Sequence, residues 1–215
     1  MDMNAKFFDL KKEKQDRMIN AALKIFALRG YRHASTDDIV KEAAISKGLL
    51  FHYFGSKLGV YTFVYDYSVK YMNLELNTCL DAAQKDLFEV IKLRELARMH
   101  AMRGYPYMQQ FLNRSVTEEE AEALEATTEQ RKVWREKNEE ILAQIDFERM
   151  PQGVDGQKVF KMFDYTITGM MTEHFYAETF KPEDLYKEIT EYLDMMKKVL
   201  IADKAPAEES FAFEA

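Results

Sequence analysis

Residues Ser35 to Lys57 read STDDIVKEAAISKGLLFHYFGSK. Ser35 is followed three residues later by Asp38, a spacing like that of a capping box, and opens a helix predicted over 36–43. Ser46 caps a second short helix over 47–53, and Gly55-Ser56 ends it. Two short helices joined by a tight turn form the arrangement that places one helix in the major groove of DNA. A helix used in that way needs a buried back and a presentable front. Leu50 and Phe54, four residues apart, share the back. Lys47, Gly48, Leu49, Phe51 and His52 then lie on or beside the front.

The residue types on that front suit nucleic acid. Lysine at a helix N-terminus opposes the macrodipole, and a phosphate or a base edge offsets that cost. Glycine in a first turn costs up to about 1 kcal/mol relative to alanine, which makes sense where a backbone must approach DNA closely. Leu49 and Phe51 are apolar groups suited to thymine methyls. His52 and Tyr53 can donate to phosphates, and Thr36 and Lys57 are placed to clamp the backbone from either side. With Ser46 at the helix start, these residues are the candidate DNA-binding set.

Outward from this segment, helical periodicity persists nearly everywhere. A first helix over 11–29, with Met18, Ala22, Ile25 and Phe26 on one face, stops at Gly30. Beyond the short pair a linking helix is predicted over 57–81. Further helices follow over 86–103, 105–113, 118–146, 155–180 and 182–201, with Pro106 and Pro182 in first turns. The prediction is an all-α fold of about nine helices. A three-helix head over 1–56 carries a larger body over 57–202, and 203–215 reads as a frayed tail. The net charge of -7 divides unevenly. Residues 1–60 hold 11 Lys/Arg against 7 Asp/Glu, whereas 61–215 hold 19 against 30. A basic head on an acidic body points to nucleic acid at one end only.

The head resembles the DNA-binding head of the TetR (tetracycline-repressor) family of bacterial transcriptional regulators. The resemblance covers about 11–65: a helix ending in FALRGY, then STDDIV, then ISKGLLFHYFGSK. Family heads commonly read VSKGTLYHYFxSK after a TxxxIA-type helix. The resemblance implies that Thr36, Lys47, Gly48, Leu49, Phe51, His52, Tyr53 and Lys57 stand where family members commonly touch DNA. Three residues depart from the pattern. Ala44 replaces the usual turn glycine, at a strain of roughly 1–2 kcal/mol if left-handed. Leu49 replaces a small polar residue, and Phe51 a tyrosine. The last two remove hydrogen-bond donors and shift the front toward apolar base contacts.

For the body, the resemblance implies a ligand pocket and a dimer built on the last two helices. Candidate pocket residues are the soft and aromatic side chains Met99, Met102, Tyr105, Met108, Phe111, Trp134, Met162 and Tyr165. Candidate dimer contacts are Phe160, Ile167, Met171, Leu185, Ile189, Tyr192, Leu193 and Met196, taken from apolar stripes at helical spacing. The expected partners are an operator duplex, a small effector and a second copy of the chain. The expected function is a ligand-responsive regulator, most often a repressor.

No GxSxG, Gly-rich phosphate loop, HExxH or CxxC is present, so no catalytic residue and no cofactor is expected. The single cysteine, Cys79, has no histidine near it in sequence, and His33, His52, His100 and His174 are scattered, so no metal site is expected. No apolar run approaches the roughly 20 residues that span a bilayer, and a cytoplasmic protein is expected. The competing reading is a helical protein–protein scaffold without DNA binding. It would account for the stripes but not for an apolar front beside Lys47 and Gly48.

Overall fold

The two short helices that follow Gly30, and the long one after them, each begin where a serine can satisfy an orphan N–H. In this computed structural model, which describes residues 5–176 and 180–201, Ser35 Oγ accepts from the Asp38 N–H at 3.0 Å. Ser46 Oγ accepts from Leu49 N–H at 3.2 Å, and Ser56 Oγ from Gly59 N–H at 3.0 Å. These caps open α3 (Thr36–Ala43), α4 (Lys47–Phe54) and α5 (Lys57–Cys79). Before them run α1 (Ala5–Phe8) and α2 (Lys12–His33). The regular part of α2 ends at Gly30, where φ is +68° and ψ 174°. The expected stop at glycine is therefore where the helix breaks.

The body comprises α6 (Leu87–Gly104), α7 (Met108–Ser115), α8 (Ala121–Ala126), α9 (Thr128–Gln144), α10 (Gly156–Tyr176) and α11 (Pro182–Ile201), with a 3-10 turn at Phe147–Arg149. The class is all-α, with eleven α-helices among the described residues rather than nine. Two differences account for the count. The short α1 carries no long periodic pattern to announce it. The stretch expected as one helix over 118–146 breaks at Thr127, which is fully buried, donates to the Ala123 carbonyl at 2.7 Å and accepts from Arg131 Nε at 2.9 Å. A threonine hydroxyl that takes up such local bonds competes with the regular ladder. Pro106 also lies in the turn before α7 rather than in its first turn. The expected tail over 203–215, and the end of the helix expected over 155–180, lie in part or wholly outside the described residues.

Helix α5 joins the two parts. It packs on α2 and α4 at one end and on α6, α8 and α9 along the rest. Its contact with α4 leaves no room for a side chain at Gly59, whose Cβ would fall 1.8 Å from the Phe54 carbonyl oxygen. Behind α4, Phe7 of α1 is fully buried against Phe54 and Phe63, with ring centroids at 5.3 and 4.9 Å. A short helix cannot hold its own shape in water, so this aromatic packing supplies its order.

The turn between α3 and α4 carries one strained residue. Ala44 sits at φ 52°, ψ 51°, the left-handed conformation that a Cβ disfavours. Ala44→Gly is expected to stabilise the protein by about 0.5–1 kcal/mol, the relieved strain less the greater entropy of glycine in the unfolded chain. Urea denaturation would check it; a lower midpoint would show that the turn is not strained.

Candidate nucleic-acid interface

On α4 the back is sealed and the N-terminal front is open. Leu50 and Phe54 are 0% and 6% exposed, whereas Ser46, Lys47, Gly48 and His52 all face solvent. Thr36 is half-exposed at the first position of α3. A Cβ added to Gly48 would meet nothing within 4 Å, so the fold itself does not require glycine there. Lys47 Nζ lies 2.8 Å from Asp37 of α3, an exposed pair. Such pairs contribute little, so an arriving phosphate can displace Asp37 at small cost. Ser46 Oγ is committed as acceptor to its helix cap, which leaves its hydroxyl hydrogen free to donate.

Four of the candidate residues are less open than expected. Leu49 is half-buried and packs against the head core, and Phe51 is half-buried as well, so neither is a free apolar knob. Tyr53 is 8% exposed because the unforeseen α1 brings Phe7 against its ring, centroids 5.8 Å apart. Lys57 turns inward, donating to the Tyr31 carbonyl at 3.0 Å with its ammonium 4.2 Å from the Tyr31 ring centroid.

Tyr31 is therefore a junction that the sequence did not announce. Its N–H donates to Glu118 at 3.0 Å and its hydroxyl to Glu122 at 2.6 Å. Arg32 adds a looser pair with Glu120 at 3.5 Å. Burial, then the bond to Glu122, holds the Tyr31 phenol far above its ordinary range, so it remains a donor. The Glu118–Glu120 run is thus a latch on the head as well as a charge preference ahead of α8. A second tie joins Tyr105 to the head: its hydroxyl donates to Asp16 at 2.7 Å and lies 2.6 Å from the Tyr67 hydroxyl.

A family model described as bacterial regulatory proteins, tetR family, matches residues 18–61, which include α3, α4 and the start of α5. That match lies in the head and the start of the long helix after it. Over 59 residues the chain is 44% identical to the uncharacterized HTH-type transcriptional regulator YuxN of Bacillus subtilis (strain 168), a match spanning 26% of this chain and 20% of that relative. Among solved structures, a TetR family transcriptional regulator from Chloroflexus aurantiacus J-10-fl aligns over 91% of this chain and 94% of its own, with a TM-score of 0.57 and 17% identity. The fatty acid degradation regulator FadR from Bacillus halodurans aligns over 83% and 96%, at 0.52 and 19%. FadR from Bacillus subtilis, in complex with stearoyl-CoA, aligns over 82% and 96%, at 0.50 and 17%. At these identities the likeness is one of fold.

In the body the expected pocket residues scatter. Met99, Met102, Tyr105, Met108 and Phe111 are buried in the core. Met162 and Tyr165 are exposed, at 42% and 67%. A cavity of about 410 Å³ between α6, α7, α9 and α10 has Tyr165 at its edge. Trp134 lines an adjoining one of about 460 Å³, and Arg98, Asn113, Arg135 and Asn138 border both. Arg94 is locked by Glu95 at 2.8 Å and Asp164 at 2.6 Å. Arg98 bonds Glu95 at 2.7 Å, but its buried Nε has no partner among the described residues. Opposite lie Ile141, Phe160, Ile167 and Met171. Arginines as well as Met171 line the space, whereas the methionines and aromatics expected there are mostly core.

The expected dimer contacts also divide. Ile167, Met171, Leu185, Ile189 and Leu193 are buried within the monomer, Phe160 and Met196 are half-buried, and of the set only Tyr192 is exposed. The exposed large apolar side chains on α10 and α11 are Met162, Tyr165, Tyr192, Met195, Val199 and Ile201, of which the expected contacts include only Tyr192. The stripes read from sequence marked the inward side, because a helix packed on its own core buries its strongest apolar face there.

Tyr31 and Glu122 are expected to be energetically coupled. Tyr31→Phe should cost about 1 kcal/mol in urea denaturation, and adding Glu122→Gln should cost less than the two separate losses combined. Full additivity would mean the hydroxyl bond does not hold head to body.

Proposed function

We propose that this protein is a ligand-responsive, DNA-binding transcriptional regulator of the TetR family, with residues 1–56 as the reading head and 57–202 as the sensing and dimerising body. The observation that carries the reading is α4: an apolar back sealed against α1, α3 and α5, and a solvent-facing N-terminal side with Lys47, Gly48 and His52. Phosphate contacts from Thr36, Ser46, Lys47, His52 and the hydroxyl edge of Tyr53 would set register, and the close approach at Gly48 with the half-open Phe51 would meet base edges. Lys57 serves mainly to hold Tyr31. One such helix makes few contacts, so two heads read a symmetric operator. The exposed Met162 and Tyr165, and Tyr192, Met195 and Val199, recur three to four residues apart on α10 and α11, which supports a dimer through those faces. Repression follows if the bound dimer blocks polymerase.

Selection from random duplex DNA is expected to return an inverted repeat whose affinity falls steeply with salt. Gly48→Ala should leave the fold as stable or up to about 1 kcal/mol more so, while weakening operator binding at least about tenfold. Wild-type affinity in that variant, or binding indifferent to salt, would overturn the assignment.

For the effector, the cavity chemistry favours an amphipathic organic anion: guanidinium groups at one side, with Nε of Arg98 free, and an apolar wall opposite. The stearoyl-CoA complex of Bacillus subtilis FadR makes fatty acids and their CoA thioesters the first panel to try. The effector must favour the DNA-incompetent head spacing. A member of that panel should weaken operator binding at least about tenfold, and Arg98→Gln should remove the response while sparing DNA binding without effector. An unaltered response in that variant would exclude Arg98 as the anion's partner.

A further inference from the structure

We propose that Glu75, Cys79 and His100 form a zinc-binding site that clips α5 to α6, independent of the effector cavity. Glu75 and Cys79 stand one turn apart at the C-terminal end of α5, and His100 comes across from α6, 21 residues beyond the cysteine. One ligand atom from each lies within 4.8 Å of the others. Carboxylate, thiol and imidazole together are a donor set that suits Zn²⁺, a borderline-soft cation that accepts all three and leaves a fourth position to water.

The spacing accommodates a tetrahedral ligand set. Tetrahedral zinc with ordinary Zn–S and Zn–N bonds sets sulfur and nitrogen about 3.6 Å apart, and nitrogen and carboxylate oxygen about 3.4 Å apart. Here Cys79 Sγ lies 3.6 Å from His100 Nδ1, and His100 Nδ1 lies 3.5 Å from Glu75 Oε2. The second distance is long for an N–H···O bond, yet it is near the edge of a zinc tetrahedron. Both run to the same nitrogen, so one imidazole atom faces the thiol and the carboxylate together.

The electrostatic setting agrees. Among the described residues, no lysine or arginine pairs with Glu75, whose only ionic neighbour is His100. A divalent cation would take the place of the thiol proton and balance the two resulting anions. All three side chains are only partly buried, so an ion can enter without unfolding.

Cys79 is the only cysteine in the chain, so thiol chemistry reports on this site alone. Co²⁺ added to the full-length, reduced, metal-free protein is expected to bind one per chain, with a thiolate-to-cobalt charge-transfer band and tetrahedral d–d intensity, and to be displaced by Zn²⁺. Cys79→Ser should lose the band. His100→Ala and Glu75→Gln should each weaken Zn²⁺ binding at least about tenfold, the lower end of what a perturbed metal shell costs. In the unmodified protein, stoichiometric Zn²⁺ should slow alkylation of Cys79 at least about tenfold. That arm does not depend on any variant folding. Cobalt spectra without the thiolate band, unchanged Zn²⁺ affinity in His100→Ala, or alkylation indifferent to Zn²⁺ would each overturn the proposal.

Discussion

The head of this protein depends on a backbone contact that excludes a side chain. Where α5 passes under the end of α4, Gly59 lies so near the Phe54 carbonyl that even a methyl group has no place. The close approach lets α5 serve as a rigid floor for the recognition helix. Phe7, Phe54 and Phe63 close the space beneath it. Eight residues of helix would be disordered alone, and here they are held by packing on three sides. The solvent-facing side of α4 is therefore presented at a set angle.

The second constraint is the junction at Tyr31. Its backbone N–H and hydroxyl reach two glutamates of the body, while its carbonyl and ring receive Lys57 at the start of α5. Movement of the segment around Glu118–Glu122 would therefore be passed to the end of α2 and so to α3. Arg131 of α9 donates to the Ser115 carbonyl at 2.9 Å, three residues before Glu118, and also borders the cavity that Trp134 lines. A chain of hydrogen-bonded groups thus connects the cavity wall with the head. It is a physical path that joins the cavity wall to the end of α2.

Much of the head was legible in local sequence because its determinants are local. The serines at 35, 46 and 56 cap the N–H groups within three residues, Gly30 breaks α2, and Ala44 takes the left-handed turn. The sealed pair Leu50 and Phe54 followed from a four-residue spacing. The body was less legible. Periodicity identified α10 and α11 as apolar, but not whether Ile167 or Tyr165 would face the core, since both lie in an apolar-rich helix.

Sequence alone determined the class, the order of most helices, and the residues at the exposed start of α4, because capping, turn conformation and amphipathic period act within a few residues. Tertiary structure alone decided that Phe7 would cover Tyr53, that Lys57 would turn to Tyr31, that arginines would border the cavity, and that His100 would meet Cys79. Each joins residues distant in the chain, or depends on which side of a helix finds a neighbour. A short-range pattern carries no information about that choice; the packing of whole helices does.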